Sequence, residues 1–247
     1  MGTRKIHGYW SAEQRCLHIN ILELQTILHA LMCFLGDSKN INVLLRVDNQ
    51  VAIAYVNKFG GCHCSKLLSI ARDIWKWAEE RNIWLFASYI ASSDNYEADE
   101  ESRREIESND WSLGAEQYWS LCNTFFVPDI DLFATSVTRK CRVFCAWKPS
   151  PGAFAIDAFT IPWNNQKFYA FPPFNLIPRV LRKIQNENAS GILVVPYWPS
   201  QNWFPRFLKL SHSQLLFMGP DYNLLTCPYT NRAHPLWEQL QLVAAVI

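Results

Sequence analysis

The stretch Leu44-Leu45-Arg46-Val47-Asp48-Asn49-Gln50-Val51-Ala52-Ile53-Ala54-Tyr55-Val56-Asn57 constrains the fold more than any other, because an apolar run stops at an aspartate and passes directly into a helical pattern. A short apolar run bounded by turn formers suits a strand buried on both faces of a parallel sheet, and ligands of such sheets gather at the strands' carboxyl ends. Asp48 is thereby placed for chemistry. The alternative is structural: Asp48 or Asn49 caps the helix that follows by accepting from its first free N–H groups.

Two further acids flank this unit. Leu24, Ile27, Leu28, Leu31 and Leu35 recur at helical spacing from near Asn20, with Gly36-Asp37 as the stop, and Glu23 lies on the edge of that apolar stripe. Its carboxylate then points along a sheet, unless Asn20-x-x-Glu23 is a capping box that only closes the helix start. Phe59-Gly60-Gly61 breaks the chain after Asn57. Leu67, Leu68, Ala71, Ile74, Trp75 and Ala78 predict a second amphipathic helix from Ser65 to Arg81, and Ile83 to Ile90 reads as another buried strand. Beyond the turn Ser92-Ser93-Asp94-Asn95 comes a short acidic helix, Glu97 to Arg103, which carries Asp99. If Glu23, Asp48 and Asp99 converge at one end of one sheet, they need a cation. Two Mg²⁺ ions held about 3.5–4 Å apart by such acids promote in-line attack of water on a phosphodiester.

His18-Ile19-Asn20-x-x-Glu23-Leu24, Val47-Asp48-Asn49-Gln50-Val51-Ala52-Ile53-Ala54-Tyr55-Val56-Asn57-Lys58-Phe59-Gly60-Gly61 and Tyr89-Ile90-x-x-x-x-Asn95-x-x-Ala98-Asp99-x-x-Ser102-Arg103 follow one another in the chain. In order and spacing these motifs resemble the RNase H domain of retrotransposon polyproteins, closest to the DIRS type with tyrosine recombinases. The resemblance runs from about Gly8 to Leu113. It implies an RNase H-like α/β domain, here residues 1–110, with a mixed sheet and flanking helices. It also implies hydrolysis of the RNA strand of an RNA/DNA hybrid by two Mg²⁺ ions, held by Glu23, Asp48 and Asp99 as catalytic and metal-binding residues. Asn49 and Gln50 would lie near the nucleic acid, and the partner in the parent polyprotein would be a reverse transcriptase domain.

Two departures from the family pattern bear on activity. The family's first aspartate lies on a central strand ahead of the Gly-x-Trp-Ser motif, whereas this sequence has seven residues before Gly8 and no aspartate among them. The expected sheet is therefore N-terminally truncated, as in a shortened element copy or a gene model that begins late, and its chemistry is impaired. The family's Asp-x-Leu-Ser-Arg is Asp99-Glu100-Glu101-Ser102-Arg103 here, with a charge where the family has an apolar anchor. A nucleic-acid-binding remnant without catalysis is the rival reading.

Residues 111–124 read as a linker. Beyond it Ile130 to Thr135, Val143 to Trp147, Phe168 to Phe171 and Gly191 to Pro196 read as short strands, and Leu176 to Asn186 as a helix. This alternation predicts a second, smaller α/β sheet over residues 125–247. Leu215 to Met218 reads as an edge strand, and Leu236 to Val243 as a helical turn. The double proline of Phe171-Pro172-Pro173-Phe174 is a rigid extended turn in its own right. Together with Phe126-x-x-x-Ile130-Asp131-Leu132-Phe133-Ala134, Lys140-Cys141, Asp157-x-x-x-x-x-Trp163, Val194-Val195-Pro196 and Trp203-Phe204, it falls in the order seen in phage-type Dam-like adenine methyltransferases. That weaker resemblance covers roughly residues 125 to 210. It implies a cofactor pocket faced by Asp131 and base stacking by Phe174. In the family an Asn or Asp opens the Pro-Pro-aromatic turn and accepts from the target amine of a flipped base. Phe171 has no acceptor, so DNA adenine methyl transfer and S-adenosylmethionine use are not expected.

With 23 Lys and Arg against 22 Asp and Glu, the net charge of +1 argues against binding of polyanions through bulk charge. Contacts with a hybrid or with DNA must be local. No apolar run is long enough to span a bilayer and no signal-peptide core follows Met1, so no membrane partner is expected and an intracellular location, cytoplasmic or nuclear, is. The 8 cysteines lack the density of a disulfide scaffold. Cys62-His63-Cys64 does not have the spacing of zinc pairs, and no second pair answers it.

Overall fold

The computed structural model describes residues 5–59, 64–102, 110–230 and 232–247. The chain is mixed α/β and divides into two compact units, Met1–Ile106 and Glu107–Ile247. Among the described residues no helix is long and apolar enough to cross a membrane. Gly60 to His63 and Arg103, which belong to the chain break, the Cys-His-Cys triplet and the end of the third motif, lie outside the described residues.

In the first unit, helix α1 (Ile19–Leu35) is followed by strand β1 (Asn42–Val47), helices α2 (Gln50–Asn57) and α3 (Ser65–Glu79), strand β2 (Trp84–Tyr89) and helix α4 (Tyr96–Ser102). The two strands pair in parallel, Asn42 opposite Trp84 and Val47 opposite Tyr89, so both end at the same edge. Leu24, Ile27 and Leu31 of α1, Ala52 and Val56 of α2, and Ala71, Ile74 and Trp75 of α3 pack with Val47, Leu85 and Ala87 into one core. The apolar stripes read from helical spacing are therefore the faces that meet the sheet.

Burial of β1 on both faces is not what the structure has. Successive side chains alternate across a strand, and here only one face is covered: Leu44 is 61 % exposed, and opposite it Phe86 is 55 % exposed. The sheet has two strands only, so among the described residues each keeps an outer edge with no strand beside it.

The second unit begins where the sequence predicts a linker. Residues 111–124 contain strand β3 (Ser112–Leu113) and helix α5 (Ala115–Thr124), whose Tyr118, Leu121 and Cys122 are buried in a core with Leu113. Then follow β4 (Ile130–Asp131), β5 (Val143–Ala146), β6 (Ala155–Ile156), β7 (Phe168–Ala170), helix α6 (Ile177–Glu187), β8 (Gly191–Pro196), helix α7 (Phe204–Leu210), β9 (Leu216–Met218), β10 (Leu225–Thr226) and β11 (Leu242–Val246). β3 and β10 form a small antiparallel pair. The others make a seven-stranded sheet in the order β6-β5-β4-β7-β8-β11-β9. Strands β4 to β8 are mutually parallel, while β11 runs antiparallel to both β8 and β9. The expected helical turn near the C-terminus is confined to residues 235–239, and Leu242–Val246 is an inner strand of this sheet.

Helices cover both faces. Leu193 and Val195 of β8 point into a core with Val180, Leu181 and Ile184 of α6 and Phe207 of α7. Ile192 and Val194 point into the other core, with Tyr118 and Leu121 of α5. That two-sided burial explains why β8 reads as an unbroken apolar run. Gly191 opens β8 because a Cβ there would lie 2.4 Å from the Phe168 ring.

Candidate metal and nucleic-acid site

The chemistry-bearing residues of the first unit gather where β1 and β2 end. Of the two candidate caps at the strand-to-helix turn, Asn49 is the one used. Its Oδ1 accepts from Ala52 N at 2.9 Å, which makes it the N-cap of α2 and leaves the Asp48 carboxylate out of that role. The Asn49 amide also donates to Asn20 Oδ1 at 3.0 Å and so ties the start of α1 to the start of α2. Asn49→Ala is expected to lower the stability of this unit by about 1 kcal/mol, read by hydrogen exchange of the α2 amides. Unchanged protection of Ala52 N–H would contradict the capping geometry.

At α1 the capping box, the alternative reading of Asn20 and Glu23, is not formed. His18 is the N-cap, its Nδ1 accepting from Asn20 N at 3.2 Å. Glu23 makes no hydrogen bond or ion pair among the described residues. It is half-buried, and burial first, then the charge of Asp48, pushes its carboxyl above the usual carboxylate range. Asp48 in turn accepts from Asn95 Nδ2 through Oδ2 at 3.1 Å, which leaves Oδ1 open. The carbonyl of Asn95 accepts from Asp99 N at 3.1 Å, so Asp99 stands one helical turn beyond the residue that fixes Asp48.

Glu23 and Asp48 are thus brought within electrostatic reach of each other. Asp99 is tied to the same end of the sheet through Asn95, but it does not complete a cluster: among the described residues no three His, Cys, Asp or Glu side chains meet in a set able to hold a metal ion. A half-buried carboxylate raised further by the charge of a second acid suits one divalent cation, because a hard cation is best held by such oxygens. Among the described residues the three acids do not meet in one metal-holding set. Gln50 is exposed at the start of α2, while Asn49 is engaged on both sides of its amide. Glu101 lies 3.4 Å from His7 Nδ1 with only 11 % of its side chain exposed.

In the second unit Asp131 ends β4, beside β7. The parallel strands run 3-2-1-4-5 when counted from β4, and the reversal between β4 and β7 is where open α/β sheets bind ligands. Asp131 is 2 % exposed. Its Oδ1 accepts from Phe133 N at 3.2 Å and its Oδ2 from Lys140 N at 2.9 Å. Burial pushes its carboxyl up to about 6, against the opposing pull of those two N–H groups and the Lys140 charge. The Tyr169 hydroxyl, buried without a hydrogen bond among the described residues, shares a cavity of about 10 Å³ with Asp131, Lys140 and Phe171. That volume is the size of one water. Small-molecule sites occupy roughly 300 Å³ or more. Phe174 is already in ring contact with Phe171, at 6.2 Å, and with Trp198, at 5.2 Å.

Comparison with protein-family models finds no match. Comparison with curated proteins finds none with significant similarity.

Sequence reasoning passes over Asn95 and Asn20 as site residues, although both stand in the quoted motifs. Asn20 reads there only as half of a capping box, and Asn95 only as a turn former. Their roles depend on partners 29 and 47 residues away in the chain.

Proposed function

We propose that the first unit is an RNase H-like domain of retroelement origin that binds an RNA/DNA hybrid or DNA and hydrolyses the RNA strand of the hybrid. The observation that carries this reading is the electrostatic coupling of Glu23 on α1 to Asp48 at the carboxyl end of a parallel strand pair, with no protein cation among the described residues offsetting it at Glu23. Glu23 and Asp48 would hold Mg²⁺. When bound, that ion supplies a polarised water and charge stabilisation at the phosphate. Asp48 presents Oδ1 to the site, Asn95 fixes the carboxylate plane, and Asn49 with Asn20 holds the starts of α1 and α2 at the spacing the pair requires. Exposed Gln50 donates or accepts toward the nucleic-acid backbone. In the parent polyprotein, a reverse transcriptase domain would supply the hybrid.

Binding without hydrolysis is the second reading, favoured by the absence, among the described residues, of a three-acid set able to hold a metal ion. For the second unit the doubly wound order of its parallel strands supports a methyltransferase-like origin. The filled site around Asp131 and the apolar Phe171 oppose methyl transfer.

A labelled hybrid incubated with the full chain tests the proposal. Cleavage of the RNA strand that requires Mg²⁺ and stops on chelation is expected, with binding but no cleavage in Ca²⁺. Binding in Mg²⁺ without cleavage would establish the second reading. No binding at low salt by the folded chain would overturn both.

A further inference from the structure

The end of the first sheet opposite Asp48 holds a pocket of about 420 Å³, lined by residues of both strand starts and of α3. Three of its walls are aromatic. Phe59 and Trp75 stack with centroids 4.4 Å apart and planes inclined at 30°, and Trp84 meets both rings edge-on, at 5.7 and 5.4 Å. Trp75 anchors the corner: it is buried, and its indole N–H donates to Val56 O at 2.9 Å. Phe59 and Trp84 are 53 % and 57 % exposed, an unusual degree for rings of that size. Phe59 is held there with φ of 56°, a left-handed conformation that a bulky residue rarely adopts. The loops behind the pocket are braced by Asn82 Nδ2, which donates to Asn40 Oδ1 at 2.8 Å.

The remaining lining, Asn40, Ile41, Asn42, Asn82 and Ile83, is uncharged apart from one acid, Glu79. Glu79, exposed at the end of α3, lines the pocket and has no ion pair among the described residues. No lysine or arginine among the described residues lines it. Aromatic faces carry negative charge and attract cations, most strongly those bearing apolar skirts, as in the rings that enclose methylated lysine. A nucleic-acid strand would bring phosphate against Glu79, and a neutral apolar segment would strip water from that carboxylate without replacing its interactions. An organic ammonium satisfies both the rings and the acid.

We infer that Phe59, Trp84 and Glu79, with Trp75 stacked behind Phe59 as support, form a binding site for an organic ammonium group, the side chain of an N-methylated lysine being the ligand class that matches the exposed rings and the single acid. The site lies a full strand length, about 20 Å, from Asp48 and does not rest on the proposed nuclease activity.

Calorimetric titration of the full chain with N-acetyl-trimethyllysine methylamide tests it, beside the neutral isostere in which carbon replaces the ammonium nitrogen. Saturable binding of the cation is expected, with the isostere at least ~10-fold weaker. Trp84→Ala, at an exposed position outside the core, should abolish binding, Glu79→Gln should weaken it several-fold, and Asp48→Asn should leave it unchanged. Equal binding of the isostere, indifference to Trp84→Ala, or absence of saturation would each overturn the assignment.

Discussion

Asp48→Asn is expected to reduce Mg²⁺-dependent cleavage of the RNA strand by about 100-fold or more while leaving the chain folded. The substitution keeps an oxygen for Asn95 Nδ2, so the turn after β1 retains its hydrogen bond. What it removes is charge. Glu23 is raised first by burial and then by Asp48, so loss of Asp48's charge should bring Glu23 part of the way back toward the ordinary carboxylate range. The sign of the stability effect follows. A carboxyl whose folded-state pKa is raised contributes stability at low pH that is lost as pH rises through the folded value. Relaxing the raised value returns some of that loss, and the mutant should be as stable as the parent, or slightly more so, at neutral pH. Lower activity with no loss of stability is the signature of a residue held in place against its own electrostatics. Carbon-13 NMR of the Glu23 carboxyl checks the coupling without any activity assay: an unmoved titration in Asp48→Asn would mean that the two acids do not sense each other. Undiminished cleavage would remove Asp48 from the chemistry.

The elements legible in the sequence are those whose signal is local. The helical faces of α1 and α3 and the turn from β1 into α2 depend on residues three or four apart, and a capped helix start announces itself within four residues. Even there the sequence leaves two readings of each helix start, and the folded chain chooses between them. Asn49 is held by Asn20, and His18 replaces Asn20 as the cap of α1. Strand β11 escapes a sequence reading because Leu242-Val243-Ala244-Ala245-Val246 is buried nearly throughout and shows no period. Its place is set by β8 and β9, which precede it by many residues and pair with it antiparallel. The linker reading of 111–124 fails for a related reason: β3 has two residues, too few for any alternation, and its partner β10 lies more than a hundred residues later. The aromatic pocket is invisible for the same cause. Phe59, Trp75 and Trp84 read separately as a chain break, a helix face and a strand, and nothing short of the fold joins them.

Asp131 offers the sharpest test of the second unit, because its buried carboxyl titrates within reach of ordinary buffers. Its pKa of about 6 in the folded chain stands above the ordinary aspartate value of 3.8. A group raised in this way contributes stability that is fully present below the unfolded pKa and is lost as pH rises through the folded one. Between pH 4 and pH 8 the second unit should therefore lose about 2 kcal/mol of stability through this residue alone, because each pH unit that separates the folded from the unfolded pKa is worth roughly 1.4 kcal/mol and part of the loss lies below pH 4. The reason for keeping so costly an acid is visible in its partners. Two carboxylate oxygens serve two backbone N–H groups, those of Phe133 and Lys140, and no neutral side chain of this size offers two oxygens in the same plane. Asp131→Asn offers one oxygen and turns an N–H toward a second donor, so it should be less stable than the parent at pH 4 and should not share the parent's decline toward pH 8. Hydrogen exchange of the β8 amides, Ile192 to Val195, reads the stability of this unit separately from the first. The difference between parent and mutant should shrink from pH 4 to pH 6 and level off above it, and a constant difference from pH 4 to pH 8 would show that Asp131 is not raised. Convergence of the two would identify the end of β4 as a brace for the loop between β4 and β5, which is the role its geometry supports in place of a cofactor contact.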